Sequence, residues 1–171
     1  MRLAVLWQMT FPGSPAIYYG DEVGVTGGDD PFNRGTYPWP ELGGKPDLDL
    51  RAEFKRLIGL RNQHAVLRHG SLEAPLYLDE HVIVWLRRLD GEAAIVAINN
   101  SEQARSVKLA LPQDLRSSAW ADALGISSVG LDKQLTGTMP GFETKVPSRR
   151  KRSRHTPLAS FSASTARREF S

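Results

Sequence analysis

Residues 11–39 read FPGSPAIYYGDEVGVTGGDDPFNRGTYPW, a short apolar run that opens into a long loop crowded with acids, glycines, aromatics and one arginine. The run over 15–20 is apolar on both faces and is punctuated by Pro12-Gly13 before it and Asp21-Glu22 after it. That pattern predicts a strand buried in a parallel sheet. Parallel strands need neighbours on both sides, a covering layer of helices, and carry their chemistry at the C-terminal end. Here that end is Gly20-Asp21-Glu22. No helical or alternating period follows until about Asp49, and loops this long inside compact domains are uncommon unless they bind something. Function is therefore expected on this loop.

A helix comes next. Leu50, Phe54, Leu57, Ile58 and Arg61 fall on one helical face, with Asp47 or Asp49 as N-cap, and the pattern predicts an end near Gly70. Upstream, Leu3, Leu6 and Trp7 are spaced as the last turns of another helix, stopped by Pro12-Gly13. The order helix, strand, long loop, helix is that of a closing βα unit in a barrel or doubly wound sheet.

Beyond it the sequence turns to β. A strand over 82–89, the hairpin signal Asp90-Gly91 and a returning strand over 93–99 are followed by Val107, Leu109 and Leu111 alternating with more polar neighbours. Trp120 and the stretch 129–135 are candidates for further strands. Several short antiparallel strands imply a sandwich.

The segments PGSPAIYYGDE, GGDDPFNR and the Pro38-Trp39 pair resemble the eighth strand and following loop of the α-amylase superfamily of glycoside hydrolases. The loop is most similar to the branch of neopullulanase, cyclomaltodextrinase, maltogenic amylase and maltodextrin glucosidase. LRAEFKRLIGLRNQHAVLRHG, residues 50–70, resembles the family's eighth barrel helix, and the segment from Leu76 to about Val146 its small C-terminal β-domain. The resemblance implies an α+β chain in three parts. Residues 1–70 would be the last βα unit of a (β/α)8 barrel, 71–146 a small antiparallel β-sandwich, and 147–171 a disordered basic tail. A complete barrel takes about 250 residues, so a chain of 171 is expected to be the C-terminal portion of an enzyme whose partner is the missing N-terminal part of the barrel.

By the same resemblance, the family cleaves α-1,4 and in places α-1,6 glucosidic bonds of maltodextrins, cyclodextrins or pullulan with retention. Its aspartate nucleophile, glutamate acid/base and third aspartate follow strands four, five and seven. Retaining chemistry needs two carboxylates about 5 Å apart on opposite sides of the bond. All three family positions precede the eighth strand, so no catalytic residue is expected here and the isolated chain is predicted inactive. Asp21 and Glu22 cannot substitute, because neighbours on a strand point to opposite faces. Asp29 and Asp30 sit on a loop unsuited to fixing such geometry.

The binding half of a site is expected instead. In the resembled branch the acid and the arginine of an Asp-Pro-x-x-Arg segment grip a glucose unit; here these are Asp30 and Arg34, one accepting and one donating to neighbouring hydroxyls. Tyr37 and Trp39 offer flat faces to a pyranose ring. The plainer alternative is that Asp30 and Arg34 only bridge to each other and stiffen the loop. Asp21 and Glu22 are read as loop-anchoring acids, and Tyr18 and Tyr19 as facing opposite ways, one to the barrel interior and one to the helix layer. His64, His69 and His81 lack metal-ligand spacing, so no metal is expected.

The formal charge of +3 conceals a division. Residues 146–171 carry seven Lys or Arg and one Glu, a local +6 that leaves the rest of the chain at −3. Such a tail can bind nucleic acid or be an uninformative extension; an altered reading frame near Lys145 accounts for it better, and nucleic acid is not expected as a partner. No stretch approaches a membrane span and no secretory signal opens the chain, so a cytoplasmic location is expected. Cysteine is absent, which excludes disulfides and thiolate chemistry. No phosphate-binding glycine motif occurs, and no cofactor is expected. An α-glucan oligosaccharide is the expected ligand, whether the chain is part of a hydrolase or, alternatively, a non-catalytic carbohydrate-binding or interaction module.

Overall fold

The computed structural model describes residues 1–116 and 120–124, together with strands at 130–131, 134–139, 144–145 and 147–149. Helix α1 (Arg2–Thr10) ends where Phe11 turns extended, just ahead of Pro12, which has no N–H to continue the ladder. Its last turn is closed by Thr10 Oγ1 donating to the Leu6 carbonyl at 2.7 Å. Helix α2 (Leu48–Gln63) starts at Asp47, whose Oδ1 accepts from the Leu50 N–H at 2.8 Å, satisfying one of the orphan donors of a first turn. The helix expected to run to Gly70 is broken about two turns earlier. His64 adopts φ −109° and ψ 104°, and a short α3 (Ala65–His69) follows at a new angle. Both backbone groups of His64 stay bonded at the junction, its N–H donating to Leu60 O and its carbonyl accepting from the Leu67 N–H, both at 3.1 Å.

Among the described residues ten strands follow: β1 (Ser71–Leu72), β2 (Tyr77–Leu78), β3 (Val82–Leu89), β4 (Glu92–Asn99), β5 (Arg105–Ala110), β6 (Trp120–Asp122), β7 (Gly130–Leu131), β8 (Gln134–Met139), β9 (Thr144–Lys145) and β10 (Pro147–Arg149). The larger sheet runs β1-β3-β4-β10-β6, with β2 also on β3 and β9 also on β4; β5-β8-β7 form a second sheet. The β3–β4 hairpin pairs Val82 with Asn99 through to Leu89 with Glu92. Its turn puts Asp90 at φ 40° and Gly91 at φ 83°, the two positive values that match the twist of a two-residue hairpin.

This hairpin is buried on both faces, which is why its sequence is apolar almost throughout. Val82, Val84, Leu86, Ala93, Ile95 and Ala97 meet Val107, Leu109, Leu111 and Leu115 between the two sheets. On the opposite face Trp85, Ala94, Val96 and Ile98 meet Val5, Leu6 and Met9 of α1, with Leu50, Phe54, Leu57 and Leu60 of α2. The order of layers is thus helices, large sheet, small sheet. The sandwich expected from several short antiparallel strands is present, with Val107, Leu109 and Leu111 on its inner face, and the helices add a third layer.

Two arginines tie the helix ends together, and one of them, Arg87, also joins them to the sheet. Arg87 of β3, 0% exposed, donates from Nε to Ser71 O at 3.0 Å, from Nη1 to Thr10 O at 2.6 Å and Leu67 O at 3.1 Å, and from Nη2 to Gly70 O at 2.6 Å. Arg61 of α2, also buried, reaches Met9, Phe11 and Leu67 carbonyls with Nη1 at 2.8, 3.1 and 2.9 Å and Gly13 O with Nη2 at 2.5 Å. Carbonyls at the C-terminal ends of α1 and α3, where the helix dipole is negative, therefore converge on two cations. Burial lowers the pKa of both side chains. The neighbouring Arg61 adds to the effect on Arg87, and Arg68 to that on Arg61.

The strand expected over 15–20 does not form. The segment has no ladder partner among the described residues, whose strand pairs are all antiparallel and lie beyond residue 70; a parallel strand exists only beside another. Ile17, Tyr18 and Tyr19 are accordingly exposed. The two tyrosines do not face opposite ways either: the chain turns at Tyr19-Gly20, and their rings lie 4.8 Å apart. At the other end, Pro147–Arg149, expected as the start of a disordered tail, pairs with both β4 and β6. Residues 150–171 of that expected tail lie outside the described residues.

Core geometry sets the sensitivity to substitution. Leu86, 0% exposed, sits between the sheets, while Leu78 is 66% exposed at the edge. Leu86→Ala should lower the unfolding free energy by about 2–5 kcal/mol, and Leu78→Ala by well under about 1 kcal/mol. Urea denaturation followed by far-ultraviolet circular dichroism measures the difference.

Candidate functional site

The loop between α1 and α2 is held at intervals rather than by regular structure. The Gln8 side-chain amide donates to the Ala16 carbonyl. Glu22 accepts from the Gly20 N–H at 2.9 Å, Gly20 itself standing at φ 90°. A Cβ on Gly20 would also lie 2.8 Å from Val25 Cγ2, so both conformation and space require glycine there. Val23 is buried, and its carbonyl accepts from the Asp47 N–H at 3.0 Å. Asp21 opens a short 3-10 turn, Asp21–Val23, with its N–H on the Tyr18 carbonyl at 3.1 Å.

Beyond this base the loop carries two couples. Arg34 Nη2 lies 3.1 Å from Asp30 Oδ1, with the side chains 73% and 67% exposed. The turn between them is closed by the Phe32 N–H on Asp29 O at 2.7 Å and the Arg34 N–H on Pro31 O at 3.2 Å. An ion pair this wet is worth at most about 1 kcal/mol, so it orients the two groups without committing them to each other. Further on, the Tyr37 and Trp39 rings lie 4.6 Å apart at 49°. Trp39 O accepts from the Leu42 and Gly44 N–H groups at 3.0 and 2.9 Å. Gly44 passes so close that a Cβ there would meet the Pro38 carbonyl carbon at 2.3 Å. Trp39 is 53% exposed. No hydrogen bond, ion pair or ring contact joins one couple to the other.

The four expected sugar-contact residues thus form two pairs on one exposed loop. Glu22 takes part in fixing the loop's base, and Asp21 contributes backbone bonds there. Phe32, 75% exposed between Asp30 and Arg34, was not singled out from sequence; an aromatic amid Gly, Asp and Asn was the available signal. Tyr18 has its pKa raised, chiefly by adjacent Tyr19, with partial desolvation, a Tyr19 hydrogen bond and Asp21 adding to it. Among the described residues no three His, Asp or Glu side chains gather to hold a metal ion, and no helix is long and apolar enough to cross a membrane.

Residues 70–119 match the family model of the alpha-amylase C-terminal domain. An amylopullulanase of Thermoanaerobacter thermohydrosulfuricus is 39% identical over 136 residues, 72% of this chain and 9% of that protein. Neopullulanase 2 of Thermoactinomyces vulgaris is 34% identical over 145 residues, 83% of this chain and 24% of that one. The chain carries an alpha-amylase C-terminal domain. A solved cyclomaltodextrinase superimposes with a TM-score of 0.76 at 31% identity, over 87% of this chain and 25% of its own. Such coverage cannot be reached without residues ahead of 70, so the likeness takes in the helix layer as well as the β-domain. The chain spans a quarter or less of the length of each of these three relatives.

His64, at the break between α2 and α3, is half-buried. Burial lowers its pKa, Glu92 opposes that effect and Arg68 reinforces it. The folded chain therefore resists a proton that the unfolded chain accepts near pH 6.5. Stability from this site is complete above that pH and declines below it, because the unfolded state then binds more protons. Urea midpoints should fall between pH 7.5 and 5.5, and His64→Gln should flatten the fall.

Proposed function

We propose that this chain closes an α-amylase-type (β/α)8 barrel acting on α-glucan oligosaccharides, and that it holds glucose units without cutting them. In this reading residues 1–70 are the last βα unit and 71–146 the C-terminal β-domain, with β10 joining that domain from the segment 147–171. The partner is the remainder of the barrel, on the same or another polypeptide. Ile17, Tyr18 and Tyr19, exposed on a segment without ladder partners, suit burial between such a barrel's interior and its helices.

One observation carries the glucan reading: an exposed carboxylate and guanidinium 3.1 Å apart, followed on the same loop by two adjoining aromatic rings. A carboxylate accepts from and a guanidinium donates to vicinal hydroxyls, and the ring faces cover the apolar side of a pyranose. The names of the relatives, an amylopullulanase, a neopullulanase and a cyclomaltodextrinase, supply the substrate class. α-1,4 bonds are proposed for the complete enzyme, with α-1,6 bonds as the second class. The catalytic carboxylates are assigned to the rest of the barrel. Glu22 is tied to a backbone N–H and Asp30 faces the Arg34 guanidinium in solvent, which supports binding without a pair of acids straddling a bond.

Maltohexaose added to the purified chain should shift the Trp39 indole N–H resonance with about millimolar affinity and release no new reducing ends. Asp30→Ala and Trp39→Ala should each weaken the shift or abolish it. Release of reducing ends by the chain alone, or binding indifferent to both substitutions, would overturn the proposal.

A further inference from the structure

We propose that Arg61 and Arg87 are positioning residues for the sugar-facing loop, so that a β-domain strand sets the placement of Asp30, Arg34, Tyr37 and Trp39. The inference deepens the glucan reading above and rests on it for the loop's role.

The argument follows the chain outward. Arg87, rooted in β3, fixes the Thr10 carbonyl, and Arg61 fixes those of Met9, Phe11 and Gly13. The next hold is Gln8 on the Ala16 carbonyl, then Glu22 on the Gly20 N–H, then the Asp47 N–H on the Val23 carbonyl. From Thr10 to Val23 the backbone is thus gripped at least once every four residues. Val25 closes the series: its N–H donates to Gly20 O at 3.0 Å, and Gly35 packs against its side chain, where an added Cβ would lie 3.3 Å from Cγ1. The tip bearing Asp30 and Arg34 leaves and returns at this point.

The first grips are the strong ones. They are charge-assisted bonds from guanidinium groups, buried at Met9 and Thr10 and part-buried at Phe11 and Gly13, whereas the Gln8 bond is exposed, the Glu22 bond part-buried, and each is singly made. Lysine cannot reproduce them. Its ammonium is one compact centre with three donors, while each guanidinium here spans carbonyls on separate elements through its planar fork. An Arg→Lys change at either position keeps the charge and most of the volume but gives up part of the set of carbonyls.

The test is amide hydrogen exchange on the full chain with Arg87→Lys and, separately, Arg61→Lys, so that failure of one variant to fold leaves the other. The reporters are the amides of Asp21, Val23, Val25 and Asp47, all bonded within or to the loop base; Trp85, Ile95 and Val96 of the central hairpin are the reference. Positioning expects the reporters to exchange about tenfold faster or more, with the reference amides unchanged. A purely structural role would raise both sets equally and overturn the proposal, as would unchanged reporters. Maltohexaose titration of the Trp39 indole runs alongside. Loss of the sugar shift in the variants but not in the unsubstituted chain supports positioning. Absence of the shift in the unsubstituted chain defeats the glucan reading, while exchange still decides whether the arginines hold the loop.

Discussion

Two guanidinium groups buried among backbone carbonyls are the constraint on which the rest of this chain depends. Helix C-termini leave carbonyls without intrahelical donors, and here the ends of α1 and α3 are both turned inward, against β1 and β3. Without donors these oxygens would be buried at a cost of about 1–3 kcal/mol each. Arg61 and Arg87 supply the donors, and the carbonyls in turn solvate two cations that share the Leu67 oxygen. Neither side could be buried alone. Their mutual satisfaction is what lets a helical layer and an antiparallel sheet meet over a shared apolar core.

That meeting explains the double-sided burial of the β3–β4 hairpin. A strand pair with helices on one face and a second sheet on the other must be apolar at nearly every position, and Arg87 is the conspicuous departure. It faces the helices in register with Ala94, a small residue that leaves room for the guanidinium. The same face carries Trp85, which meets Trp7 at 5.2 Å and Phe11 at 6.4 Å. Aromatic packing and arginine bonding thus act together on the last turn of α1, from which the loop departs.

Much of this was legible in residue order. An aspartate cap at Asp47 or Asp49, which the structure places at Asp47, the inner face of α2 including Arg61, the Asp90-Gly91 turn and the alternation of β5 follow from local chemistry, and the structure contains each. What was not legible depends on contacts far apart in sequence. The segment 15–20 has the composition of a buried parallel strand, but composition does not provide neighbours, and unpaired it turns instead at Tyr19-Gly20 with both rings in solvent. The break at His64 has no glycine or proline to announce it. Arg87 follows Leu86 and precedes Arg88, and nothing local tells which arginine enters the core; the two-residue period assigns it to a face, and only the carbonyls of residues 10, 67, 70 and 71 make that face a cation site. The couples on the loop were foreseeable as residue types, whereas the grips that hold it come from Gln8, Glu22, Asp47, Arg61 and Arg87, residues far apart in the chain.

The claim that Arg61 and Arg87 act as one unit is tested most directly by a double-mutant cycle. Urea unfolding of the unsubstituted chain, Arg61→Met, Arg87→Met and the double variant gives the coupling without reference to any ligand. Because both guanidinium groups serve the same carbonyl cluster, the double substitution should cost less than the sum of the two single ones by about 1 kcal/mol or more. Costs that add to within about 0.5 kcal/mol would show two independent side chains, and would contradict the account.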